Sequence, residues 1–241
     1  MVSENNSIKK YSKPPIQEAV FDLRTQNEVT FSEQLFKNFL DKASEYSLQE
    51  PLRNININAD DMTKNIEIIG YRCISADQKQ IVQFKKNGFS FSRLTIYDGW
   101  DKNYKEALKL WKHYYEVVKP TVITRVATRF INKFEIPYTF KPEEYFKTYI
   151  QYDKSISLVW NQMSYRLLLP HSNGIKSHII FDNNVNQSSQ NVNVLFDIDV
   201  FSDNLGLTDN SNLESIFNQV RIVKNDIFEK SITDKTRKMI T

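Results

Sequence analysis

A single cysteine, Cys73, leaves this chain without the means for an intramolecular disulfide or a cysteine-rich metal site. Glycine is almost as scarce, with five in 241 residues, which excludes collagen-like architectures. Turns that need positive φ must therefore draw on the abundant Asn and Asp of stretches such as NININ and DNNVNQSSQNVN. No window approaches the ~20 consecutive apolar residues of a membrane helix. The segment MVSENNSIKKYSKPP has no apolar stretch of the signal-peptide type, so neither a membrane span nor a secretion signal is expected. A large excess of one charge is missing too: 32 basic and 29 acidic side chains give a formal net charge of +3, too balanced to imply a polyanion partner alone. A cytoplasmic location is the resulting expectation.

What is present is a core. Hydrophobic residues make up 40% of the chain and aromatics 13%, with 16 Phe and 12 Tyr, which excludes a disordered class. A chain of this length should bury ~70–75% of its extended surface.

After a polar tail over residues 1–13, Pro14 and Pro15 hold the chain extended, and Ile16 to Arg24 reads as a strand. Thr30 and Glu33 have capping-box spacing, and Leu35, Phe36, Phe39, Leu40 and Ala43 form one apolar helix face. From Leu52 to Ile96 come the strand-like runs RNININ, NIEIIGYRCI, QIVQF and FSFSRLTI, with Asn87-Gly88 as a type I′ hairpin signal. Asp101 to Val118 carries the helical stripe Tyr104, Ala107, Leu108, Trp111, Tyr115 and Val118, ended by Pro120. Thr121 to Ile136 is a long strand with Val122, Thr124, Val126, Thr128, Phe130 and Phe134 on one face and Arg125, Arg129, Lys133 and Glu135 on the other. Pro142, Glu143 and Glu144 open a short helix. The runs SLVWNQMSYRLLLP, GIKSHIIFD and NVNVLFDIDVF read as strands, with Asn173-Gly174 as a second hairpin turn. Ser211 and Glu214 again have capping-box spacing, before a helix carrying Leu213, Ile216, Phe217, Val220, Val223 or Lys224, and Ile227.

The order of elements repeats. LFKNFL at Leu35 to Leu40 matches YFKTYI at Tyr145 to Ile150, and the stripe Tyr104, Ala107, Leu108, Trp111 recurs as Leu213, Ile216, Phe217, Val220. The expected fold is α+β: a tandem pseudo-repeat of β-α-β(3–4)-α, its halves 14–119 and 120–241 sharing one curved antiparallel sheet with helices on one side. In element order this resembles the saddle of the TATA-binding protein or other helix-grip folds, a likeness that carries no function with it.

Catalytic signatures are lacking: there is no nucleophile elbow, phosphate-binding Gly-x-x-x-x-Gly-Lys loop, dinucleotide glycine fingerprint or His-Glu-x-x-His helix. His113 lies in a helix, and His171 and His178 straddle the Asn173-Gly174 turn without an evident third ligand, so no metal and no cofactor is expected. Asp197 and Asp199 share one face of their strand, where paired acids could hold a divalent ion but a solvated face explains them more simply. Cys73 reads as a small packed hydrophobe. The stronger candidate is the side of the sheet away from the helices. Arg125, Arg129 and Lys133 point there, Arg24, Lys79, Lys85 and Arg93 are candidates to join them, and Phe89 and Phe91 share the face of Arg93. Such a surface can stack bases or hold an acidic partner. Alternatively these cations form cross-strand pairs with Glu18, Asp22 and Glu135.

Several stretches carry a family resemblance. Lys13-Pro14-Pro15-Ile16-Gln17-Glu18-Ala19, Gly70-Tyr71-Arg72, Val82-Gln83-Phe84 with Gly88-Phe89, Arg93-Leu94-x-x-Tyr97-x-Gly99-Trp100, and Thr124-Arg125-Val126-x-x-Arg129-Phe130-Ile131-Asn132 resemble the sporadically distributed, uncharacterised prokaryotic protein family of about 250 residues. The likeness spans nearly the whole chain and is least distinctive in the C-terminal third. It implies no activity and no catalytic residues. The family's patchy occurrence implies mobile genes, as antiphage-defence or toxin–antitoxin components are.

These readings lead to a non-catalytic binding or regulatory protein, not an enzyme, that recognises a macromolecular partner, most naturally a protein, through the open sheet face. Arg93, Arg125, Arg129 and Asn132 would donate hydrogen bonds, and Phe91, Tyr97 and Trp100 would supply apolar or stacking contacts. Two alternatives stand beside it: a nucleic-acid-binding protein using that same face, and an enzyme or small-ligand carrier with a pocket between the sheet and the C-terminal helix. A homo-oligomer covering the face is a further arrangement the residues permit.

Overall fold

A computed structural model describes residues 9–27, 32–57, 64–94, 96–137, 141–151, 153, 155, 162–184 and 191–241. Among them nine strands form one antiparallel sheet. The strands are β1 (Ile16–Gln26), β2 (Leu48–Ile57), β3 (Lys64–Ile74), β4 (Gln80–Lys85), β5 (Gly88–Leu94), β6 (Val122–Pro137), β7 (Gln162–Pro170), β8 (Ile175–Asn184) and β9 (Asn191–Leu207). The helices α1 (Glu33–Lys42), α2 (Trp100–Val118), α3 (Pro142–Tyr145), α4 (Leu213–Ser231) and α5 (Asp234–Met239) pack on one side of it, as expected for an α+β chain.

The sheet runs β2-β3-β4-β5-β1-β6-β9-β8-β7, with β1 and β6 side by side at its centre. Period-two alternation sorts the residues. Ala19, Phe21 and Leu23 of β1 are buried on the helix side, together with Phe89 and Phe91 of β5, Val126 and Phe130 of β6, and Ile198 and Val200 of β9. Glu18, Asp22 and Arg24 of β1 consequently point the other way. Phe21 sits at the middle of the core, its ring centroid 5.0 Å from Trp100 and 6.1 Å from Phe217, so it joins α2 and α4 to the sheet.

Local signals held to different degrees. Asn173 and Gly174 both take positive φ, as the turn between β7 and β8 requires. The β4–β5 hairpin also forms, but Lys85 pairs with Gly88, so its loop is Lys86-Asn87, and neither Asn87 nor Gly88 has positive φ. Gly88 is there for another reason: a Cβ on it would lie 2.5 Å from the Leu23 carbonyl oxygen of β1. Thr30 falls outside the described residues; α1 is capped by Ser32, whose side chain accepts from the Leu35 N–H. The second capping box is not used, since Asn212 precedes α4 and the Ser211 hydroxyl bonds to Asp209. YFKTYI, expected to mirror the α1 segment, is helical only at Tyr145, and Phe146 bridges to Ile232 instead. The expected strand SLVWNQMSYRLLLP is seen from Gln162 onward, residues 157–161 lying outside the described set. No helix among the described residues is long and apolar enough to cross a membrane.

Candidate functional site

The seven candidate site residues do not share one surface. Arg125 and Arg129 lie on the open side of β6, away from the helices, as their parity requires. Phe91 is fully buried on the helix side. Asn132, an even position of β6, also faces the helices and is 2% exposed, its amide donating to the carbonyls of Phe130 and Phe196. Tyr97 and Trp100 pack on the Phe130 ring, at 5.4 and 6.3 Å between centroids. Arg93 shares the face of Phe89 and Phe91, as expected, but that is the helix-side face; at the strand end its guanidinium lies 3.7 Å from Asp98 and its Nε donates to the Ile96 carbonyl. The reason is one of phase. Register through β1 puts Phe91 opposite Phe21, and Phe21 opposite Thr128 in β6, so the aromatic face of the meander is continuous with the core. The aromatic half of the expected surface is therefore interior.

On the open side the cations are paired. Arg125, with its side chain 12% exposed, donates to Asp22 of β1 at 2.6 Å and to Asp199 of β9 at 2.8 Å, and its guanidinium lies 4.5 Å from the centroid of the Phe201 ring. Arg129 grips Asp197 through Nε and Nη2, the bidentate arrangement that makes Arg–carboxylate pairs strong. Lys176 bonds Asp203 at 2.9 Å. Lys85 and Arg24 approach Asp22 at 3.8 and 3.9 Å. Asp22 therefore serves as the cross-strand partner foreseen for it, whereas Asp197 and Asp199 pair with arginines of the neighbouring strand. Among the described residues no group of three or more His, Cys, Asp or Glu is placed to hold a metal ion.

Burial, reinforced by the neighbouring Asp22, raises the Asp199 carboxyl above its ordinary value, against the pull of Arg125. The hydrogen bonds that Arg129 donates to Asp197 hold its guanidinium more firmly protonated. Beside this network lies an open depression of about 570 Å³ lined by Arg24, Arg125, His178, Asp199 and Phe201, with Leu168 on its wall. Leu168 is 65% exposed, an apolar side chain largely open to solvent. His178 reaches this depression, while His171 bonds the buried Ser177 hydroxyl on the opposite face, so the two imidazoles stay apart. Lys79 sits in the turn before β4 and does not join the face.

A second cluster forms beneath α4. Leu213, Phe217, Val220 and Ile227 are its buried stripe, and Lys224 occupies the position between Val220 and Ile227 that the spacing assigns to an apolar side chain. Its Nζ lies 3.9 Å from the centroid of Phe130, and Arg221, one turn earlier, stacks on Trp100 at 4.9 Å. Phe130, Tyr97, Trp100 and Asn132, which belong to the motifs carrying the family resemblance, meet here. Periodicity gave this position as Val223 or Lys224, and a lysine on an apolar stripe is the signal that could have found the cluster.

No known protein-family model matches this chain, and no curated protein matches it.

Proposed function

We propose that this is a binding protein that recognises a protein partner through the open face of its sheet. The observation that supports the reading is charge balance. Arg125 stands between Asp22 and Asp199, Arg129 on Asp197 and Lys176 on Asp203, so the face offers alternating signs around a depression edged by Leu168. A nucleic-acid surface needs cations free to release counterions from phosphates, and an aromatic platform on which bases stack. Here the strongest cations are engaged, and Phe91, Tyr97 and Trp100 are packed toward the helices. An exposed apolar side chain ringed by charges of both signs is the usual composition of a protein interface.

A cytoplasmic setting, which rests on the single cysteine and the sequence composition, and a role in antiphage defence or a toxin–antitoxin pair, which rests on the family resemblance alone, belong to the same proposal. A duplicated ancestry and a saddle-like relationship of the two halves also belong to it. The strand order supports them, since β5, β4, β3, β2 extend outward from β1 as β9, β8, β7 do from β6.

Purification of the tagged chain from its native cytosol, with and without nuclease, tests the reading. A stoichiometric protein that survives nuclease supports it. Recovery of nucleic acid in place of protein, released by raising salt, overturns it in favour of the phosphate-binding alternative.

A further inference from the structure

Lys224 is a cation set on the apolar stripe of α4. Among the described residues no acid lies within ion-pair distance of its Nζ, which rests on the face of Phe130. Nearby acids are committed elsewhere: Asp98 is taken by Lys102, Asn103 and Arg93, and Asp101 sits exposed at 3.7 Å from Arg221. The amine faces the Phe130 ring, on which Tyr97 and Trp100 also pack, and Arg221 lies on the same helix face. Burial, with Arg221 adding its like charge, lowers the amine from 10.5 to about 7, so a large fraction is uncharged at neutral pH. Tyr97 is driven the other way and keeps its proton. The residue as a whole is partly covered and not sealed within the core.

An uncharged amine in an apolar wall with a fixed guanidinium on the same helix face is the arrangement that makes a lysine a carbonyl nucleophile. We propose that Lys224 takes a small 2-oxo acid as a reversible imine, with Arg221 holding the carboxylate. The Nζ lone pair attacks the carbonyl carbon and the carbonyl oxygen becomes a hydroxyl. Both amine protons then leave with that oxygen as water, and the C=N bond remains. Trp100, Phe130 and Tyr97 form the apolar surround that limits water around the adduct. This site is independent of the open face; it lies on the other side of the sheet.

The test is reductive trapping: the full chain is incubated at pH 7 with pyruvate and sodium cyanoborohydride, digested, and every lysine's labelling rate read by peptide mass. The expected result is label on Lys224 at least ~10-fold faster than the mean of the exposed lysines, abolished in Lys224→Met. Arg221→Met should slow trapping of pyruvate while leaving trapping of neutral acetone unchanged. Label spread over the lysines in proportion to their exposure would overturn the assignment. An unchanged pyruvate rate in Arg221→Met would overturn the role of Arg221. Circular dichroism of both variants confirms that they fold, and Lys224→Met, which removes a desolvated amine from an apolar stripe, is expected to melt no lower than the parent.

Discussion

Replacing Arg125 by methionine removes the cation that holds two carboxylates together while roughly keeping its volume. Asp22 and Asp199 approach it at 2.6 and 2.8 Å, and all three side chains are mostly covered, at 12%, 19% and 21% exposure. Breaking such a pair from one side costs about 3–5 kcal/mol when fully buried. The remaining exposure here favours the lower end, about 3 kcal/mol, and in a domain of this size about 6–12 °C in Tm. The loss should depend on pH in a particular sense. Asp199 already titrates above its ordinary value in the folded chain, so what it contributes to stability is present at acid pH and is lost as pH rises through its folded value. Without Arg125 that value climbs further and the deficit at pH 7 deepens. As pH falls the carboxyl takes up its proton sooner in the folded variant than in the folded parent, and the two proteins converge toward acid pH. Urea melts of parent, Arg125→Met and Arg125→Met/Asp199→Asn at pH 4, 5.5 and 7 measure this, and the double variant should regain ~1–2 kcal/mol at pH 7 because one stranded charge is gone. A deficit under ~1 kcal/mol, equal at all three pH values, would refute the view that the open face is built on this network.

Four further outcomes follow from the same structure. Lys224→Met should be more stable than the parent below pH 7, by at most about 5 kcal/mol if the whole lowering of the amine is recovered, because the folded amine is then charged in an apolar place. That advantage should shrink between pH 7 and about 10.5, as the amine of the unfolded parent loses its proton too, and thermal melts against pH read it. Phe91→Ala should lower stability by about 3–5 kcal/mol in urea melts, as a core truncation does; an effect under ~1 kcal/mol would return Phe91 to the surface. Gly88→Ala should cost about 1–3 kcal/mol or more, since its Cβ meets the Leu23 backbone, which no side-chain rotation relieves. Cys73, fully buried and with its thiol pushed up to about 12, should resist maleimide in the folded chain and react at once in 6 M urea.

Alternation made much of the sheet legible in the residues. The runs between Leu52 and Ile96 are β2 to β5, and the parity of Arg125 and Arg129 alone puts them on the open side. Parity within one strand cannot say which face of its neighbour it continues, and that is where the candidate surface went astray. Phe91 and Arg93 do share a face, but the Phe91–Phe21 register joins that face to the core. Asn132 was misplaced for a simpler reason, as it is an even residue of β6 beside Phe130 and Phe134. Asp197 and Asp199 were read along their own strand, where they resemble a pair, while their chemistry runs across to Arg129 and Arg125. Pairings between residues 74 apart, such as Arg125 with Asp199, are set by strand order and not by local pattern.

The claim that the open face recognises a protein is tested most directly by quantitative mass spectrometry of paired purifications from native cells, one with the parent chain and one with Arg24→Glu/Leu168→Asp. Both side chains are exposed, at 63% for Arg24 and 65% for Leu168, so the variant should fold and melt as the parent does. The account predicts a nuclease-resistant protein held in stoichiometric amount by the parent and reduced at least ~10-fold with the variant. The same protein retained equally by both would contradict it.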